Sequence, residues 1–289
     1  FTIAIIFSFL SCNDISKSPS LFKAEKGVLD IRNWNPFSHD APRKEGIIKI
    51  DGEWEFYWKE LLKSSDFICE TTKPSCKDGK LLLNTIDYIK VPHSWNGHFR
   101  NGETLDGDGY ATYRLSIQLP EQLVGEALAL RSDYQGTAYR IFMNSKLTHS
   151  VGVVGKEESE SEALHLPSVG FVQSNTNNLE IIVQVSNFHN RLGGLWNHLY
   201  LGRANEIQAY VNKRRGSDLF VTGIIFIIGI YHLLIWSIRR KEVSPLYFSL
   251  LCILVLTRLI STSEYLFTEA FPNLGYKFYS LLEYVSMYL

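Results

Sequence analysis

The chain has 289 residues, 45% of them hydrophobic, 13% aromatic and 20% charged, with Lys+Arg 29 against Asp+Glu 30. A formal net charge of -1 excludes the basic footprint of a nucleic-acid binder, and the aromatic content excludes a disordered chain. The charge is unevenly spread: residues 219–289 hold 5 basic and 4 acidic side chains, leaving 24 and 26 for residues 1–218.

The chain opens on an apolar run, Phe1–Leu10, too short to span ~30 Å of hydrocarbon but suited to a signal-peptide core. Leu10-Ser11-Cys12 follows, then polar residues from Asn13. A Cys directly after an apolar core is where lipoprotein signal peptides are cut and lipidated. Cys12 is the candidate for that, against a plain signal peptide or an uncleaved anchor. Export places residues 13–218 outside the cytoplasm. Both ends of the sequence lie in apolar runs, so a piece of a longer protein is expected. Cys69 and Cys76 flank the turn-forming Lys73-Pro74-Ser75 and suit a small-loop disulfide in an oxidising compartment.

Residues 13–45 read as an N-terminal linker, and 46–203 as a domain rich in β-structure. Tyr113, Leu115, Ile117 and Leu119 alternate with polar residues until Pro120, and Leu179, Ile181, Val183 and Val185 alternate likewise. Ala127–Arg131 and Ala138–Met143 are further strands, the second turning at Asn144-Ser145. A single helix is expected, near Glu55–Lys63, and Lys156–Glu162 reads as an acidic surface loop. Trp54, Phe56 and Trp58 are expected in the core. The pattern favours a β-sandwich.

Residues 204–218 read as a short juxtamembrane linker. Leu219–Ile238 then runs 20 residues without a formal charge, about 30 Å as a helix. A second span is expected over 246–263 and the start of a third over 276–289, with a tight turn at Arg239–Pro245. Basic residues flank the first span on both sides, so loop charge alone leaves its orientation tied. The leading segment breaks the tie and puts 239–245 inside. Arg258 either snorkels to the interface or acts inside the helix bundle.

Chemistry finds little support. A glycosidase needs two carboxylates ~5–10 Å apart; Glu53 and Glu55 are the candidates, and solvated strand positions the simpler reading. No Gly-x-Ser-x-Gly elbow or P-loop is present. His93 and His98, or His189 and His198, lack close metal-ligand spacing, and no metal or cofactor is assigned. Asp106 and Asp108 in Asp-Gly-Asp-Gly offer two carboxylates to Ca²⁺, but the later ligands of an EF-hand are missing. Binding is favoured over catalysis. Trp95, Tyr139 and Trp196 offer ring faces for stacking, and Arg114, His189, Arg191 and Asn197 could orient polar groups. The loop Asn187–Asn197 is the first choice for a ligand rim.

The segments Ile50-Asp51-Gly52-Glu53-Trp54, Val91-Pro92-His93-Ser94-Trp95-Asn96, Gly109–Leu115, Ala138–Asn144 and Val185–His189 with Gly193–Trp196 resemble an exported sensor domain. Such domains are fused to bacterial seven-transmembrane receptors with diverse intracellular signalling modules. The pattern is also similar to the jelly-roll sugar-binding domain of family-2 glycoside hydrolases. Gly229-Ile230-Tyr231-His232 and Phe271–Tyr276 resemble the first helices of the same receptors. Asn144-Ser145 stands where an Asn-Gly turn is expected.

The resemblance implies a mainly β jelly-roll sandwich of the galactose-binding type, followed by transmembrane helices. It implies the input half of a receptor in a bacterial inner membrane, with an extracytoplasmic ligand, carbohydrate among the candidates. The expected intracellular partner is an output module beyond Leu289: a nucleotide cyclase, diguanylate cyclase, phosphatase or histidine kinase. A membrane-anchored carbohydrate-binding or adhesion lipoprotein is the rival reading, and a glycosidase-like enzyme a third. An anchor needs one span, whereas this chain has two and begins another.

Overall fold

The computed structural model describes residues 22–37, 46–68, 76–77, 80–81, 86–262 and 264–288. The chain divides into two compact units between Ile207 and Gln208.

The first unit is built from strands β1 (Lys23–Ala24), β2 (Val28–Asp30), β3 (Ile47–Lys49), β4 (Asp51–Trp58), β5 (Cys76–Lys77), β6 (Lys80–Leu81), β7 (Asp87–Val91) and β8 (Phe99–Arg100). It continues through β9 (Glu103–Thr104), β10 (Gly109–Gln118), β11 (Ala127–Ser132), β12 (Ala138–Met143), β13 (Lys146–Val151), β14 (Ser168–Gln173), β15 (Asn178–Asn187) and β16 (Leu199–Arg203). An eight-stranded sheet runs β1-β4-β10-β15-β12-β13, with β2 beside β10 and β7 beside β4. A four-stranded sheet runs β14-β11-β16-β3, and β5–β6 and β8–β9 are two-stranded ribbons. The result is the expected sandwich. Trp54, Phe56, Tyr113, Leu115 and Ile181 of the large sheet share one buried cluster with Leu128, Leu130, Leu199 and Leu201 of the small one. Each such side chain contributes about 1.5–3 kcal/mol by leaving water.

Three sequence readings need correction. No helix forms over Glu55–Lys63: β4 runs through Trp58, because Trp54 and Phe56 point into the core while Glu53 and Glu55 face outward. Lys59 ends the strand with a φ of 58°, and only a single 3-10 turn, Ser64–Phe67, follows. The stretch 13–45 is not simply a linker. β1 pairs in parallel with β4 and β2 with β10, and Leu29, Ile31 and Trp34 join the core. The stretch 204–218 is no irregular linker either, since helix α1 (Ala204–Ile238) already begins at Ala204.

The alternation in β10 and β15 holds on the inner face, but Ile182, Gln184 and Ser186 are also buried. Loops roof the outer face. Gln184 donates to the Leu62 carbonyl (2.9 Å), and the Ser161 and Ser186 hydroxyls lie 3.0 Å apart. Ser161 is therefore the inward-turned residue of the otherwise exposed acidic loop. The hairpin β12–β13 turns where expected. Asn144 and Ser145 take φ of 46° and 69°, the left-handed pair of a tight two-residue turn, so Ser145 itself does what a Gly was expected to do.

The second unit holds most of α1, then α2 (Ser244–Ser261), α3 (Leu266–Ala270) and α4 (Tyr276–Tyr288). α1 and α2 are long and apolar enough to cross a membrane, by length and composition. Toward their connection the rings of His232 and Phe248 lie 4.4 Å apart. Toward the other end Arg214 pairs with the wholly buried Glu264 (2.9 Å) and Arg215 with Glu269 (3.1 Å). Arg258, for which two roles were weighed, has its Nη1 3.4 Å from the Glu283 carbonyl of α4.

Candidate functional site

The ring faces expected to stack on a ligand are largely committed to the fold. Trp95 is wholly buried, donates from Nε1 to the Gly107 carbonyl (3.0 Å) and packs edge-on against Trp58 at 5.1 Å. Tyr139 is wholly buried too. Its hydroxyl meets the Leu166 carbonyl and the Ser168 hydroxyl at 2.9 and 2.8 Å, and burial pushes its phenol pKa up. Both are core residues and not ligand platforms: β12 turns Tyr139 inward, and the loop after β7 holds Trp95 in the core through its hydrogen bonds to Gly193 and Gly107. Trp196 is half-buried, edge-on to Tyr134 and His165 at 6.2 and 6.4 Å. Burial lowers the His165 pKa to about 4, so its ring is neutral at neutral pH.

The loop Asn187–Asn197 is a clasp. Asn187 donates to the carbonyls of Gly107 (2.9 Å) and Asn190 (2.6 Å). Asn96 donates to the Arg191 carbonyl and accepts from the Gly193 amide, at 2.9 and 3.0 Å. Asn197 donates to the Tyr134 carbonyl (2.7 Å), while its own backbone is held by Gln135. These amides satisfy backbone groups that a loop would otherwise leave to water. Arg191 is exposed, and His189 lines an open depression of about 600 Å³ with Glu157, Glu158 and Ser159.

Arg114 lies elsewhere. It is five residues along β10 from Gly109, where that strand meets Asn187, roughly 17 Å at strand spacing. Its Nε donates to Glu180 (2.8 Å) and its Nη1 to Glu55 (3.1 Å), and its guanidinium covers the Phe67 ring at 4.4 Å. Burial disfavours its charge, but the hydrogen bond to Glu180 and the charge of Glu55 more than reverse that, raising its pKa. The Tyr57 hydroxyl also donates to Glu55 (2.9 Å), so one carboxylate weighed for hydrolysis serves this network. Above it opens a groove of about 350 Å³ on the outer face of the large sheet. Ser64, Phe67 and Ile68 line it together with Asn144, Ser145, Thr176 and Asn178. Phe67, Asn178 and Glu180 were not singled out in the sequence, and Glu55 was weighed there only as a carboxylate for hydrolysis. Only the strand positions of Glu55 and Glu180, and their charge opposite to that of Arg114, hinted at this network.

Asp106 and Asp108 are exposed, on either side of Gly107. Among the described residues no group of three or more His, Cys, Asp or Glu is placed to hold a metal. Cys12, Cys69 and the Cys76 side chain lie outside the described residues, and with them the lipidation and disulfide readings.

Residues 215–289 match the family described as 7TM diverse intracellular signalling, so the receptor resemblance is shown for the helical segment. No curated protein matches the chain. Among solved structures, the sandwich is similar to part of a Ruminococcus gnavus β-glucuronidase in complex with D-glucaro-δ-lactam. The identity is 15% over 60% of this chain and 31% of that one, with a TM-score of 0.40. A Bacteroides fragilis protein assigned as a β-galactosidase is 17% identical over 54% of this chain and 22% of that one, with a TM-score of 0.35. The chain thus spans about a third or less of the length of these enzymes. The sandwich assignment rests on this chain's own two sheets.

Proposed function

We propose that the chain is the input part of a transmembrane signalling receptor whose sandwich senses an extracytoplasmic ligand, carbohydrate being the first class to test. The helices then relay the signal to an output module on the other side. The match of residues 215–289 to a signalling membrane family, in a chain that also folds a separate β-sandwich, carries this reading. Continuity of the backbone supports it. β16 ends at Arg203 and α1 begins at Ala204, so no residue of slack separates the last strand from the helix. A ligand that prefers one arrangement of the sandwich would bias α1 by its difference in affinity for the two states.

Reporter fusions test the topology. A reporter active only outside the cytoplasm should be active when fused after Gly202 and silent when fused at Lys241. The reverse pattern overturns the receptor reading.

A further inference from the structure

We propose that the groove above Arg114 is a binding site for a neutral saccharide, an assignment that rests on the sensor reading of the sandwich and moves its ligand site to the sheet face. The groove offers unspent polar groups. Two Arg114 nitrogens are engaged, and among the described residues Nη2 has no partner and Glu180 accepts through Oε1 alone. Asn178 uses its Oδ1 to accept from Ser116 (2.7 Å), which leaves its NH₂ free to donate. Among the described residues the Ser64 hydroxyl is buried with no hydrogen-bond partner, on a residue only 6% exposed. A buried hydroxyl without a partner is costly unless something supplies one. Donors and acceptors are thus both present in the groove, and Ile68, 56% exposed beside Phe67, adds an apolar edge. A pyranose ring presents that same mixture: hydroxyls that both donate and accept at its rim, and C–H groups on its face.

Charge selects neutral ligands. Arg114 is flanked by two carboxylates, Glu55 and Glu180, so the cluster carries a net -1. The guanidinium is already balanced, and a uronate or phosphate would meet an excess of negative charge. The same bracing holds Arg114 in one geometry before any ligand arrives, so little side-chain entropy is lost on binding. The volume of about 350 Å³ is at the small end of ligand pockets, which suits a short saccharide unit.

Isothermal titration of the full chain in nanodiscs, which avoids sugar-headed detergents, tests this. The probes are cellotriose, xylotriose, maltotriose and mannotriose, with trigalacturonate as the anionic counterpart. At least one neutral trisaccharide should bind, and trigalacturonate at least about tenfold more weakly. Asn178→Trp fills the groove from an exposed strand position, and should weaken binding at least about tenfold with an unchanged melting temperature. Arg114→Met should weaken it as well, but that change also leaves two carboxylates unbraced, so the Asn178→Trp result decides. Neutral saccharide binding that survives Asn178→Trp overturns the groove and leaves the sensor reading intact. Equal affinity for trigalacturonate overturns the charge selection. Binding of none of the four neutral trisaccharides overturns the proposal, while the reporter fusions judge the receptor reading separately.

Discussion

Replacing Gly193 by alanine should destabilise the sandwich through one identifiable collision. A Cβ there would sit 2.4 Å from Trp95 Cζ2 and 2.5 Å from both Trp95 Cε2 and the Gly107 carbonyl oxygen. Gly193 is not among the residues with positive φ, so its backbone suits alanine and the cost is steric. Neither obstacle yields easily. Trp95 is wholly buried and tied to Gly107, whose carbonyl also accepts from Asn187. Overpacking costs about 1–3 kcal/mol, and these fixed neighbours put Gly193→Ala in the upper half of that range. For a unit of this size the melting temperature should fall by roughly 5–10 °C, measured by tryptophan fluorescence of the full chain. In a Trp95→Phe background the atoms nearest the new methyl are gone, so the penalty of Gly193→Ala should shrink by about 1 kcal/mol. A loss below about 0.5 kcal/mol, or an equal loss in both backgrounds, would refute the clasp and restore the loop as a mobile ligand rim.

Burial lowers the pKa of both His149 and His165 to about 4, against about 6.5 in an unfolded chain. Between pH 6.5 and 4 the unfolded state therefore binds protons that the folded state refuses, so stability falls with falling pH, by up to about 3 kcal/mol per histidine below pH 4. The double variant His149→Gln/His165→Gln should flatten that part of the pH–stability curve, and an unchanged slope would refute the assignment. In the helical unit, Glu264→Gln leaves Arg214 without its buried carboxylate and should cost about 2–3 kcal/mol in nanodisc melts. Glu269→Gln breaks a pair whose side chains are 40% and 50% exposed and should cost no more than about 0.5 kcal/mol. Equal losses from the two would show that burial does not set the strength of these pairs.

Local periodicity was enough to read much of this architecture. The alternation of Tyr113, Leu115 and Ile117 needs only the two-residue repeat of a strand, and Leu219–Ile238 announces a span by lacking charge. Periodicity also misled where one residue type serves two environments. Tyr57, Trp58, Leu61 and Leu62 recur at helical spacing while Trp54, Phe56 and Trp58 alternate as in a strand, until pairing with both β7 and β10 settles it. The short strands β1 and β2 carry too little pattern to announce themselves, and only parallel partners far along the chain hold them.

The candidate site was legible only in part. Arg114 was singled out for its chemistry, but its setting was not visible, because Glu55 and Glu180 lie 59 and 66 residues away in sequence. Trp95 and Tyr139 were chosen as exposed ring faces, a property that composition cannot assign. An aromatic ring lowers free energy equally well by filling a core or by covering a sugar. What decides between them is whether the strand or loop carrying the residue turns it into the core, and what packs above it. That follows from the register between distant strands and from the loops at 60–68 and 152–162, and so from the tertiary structure alone.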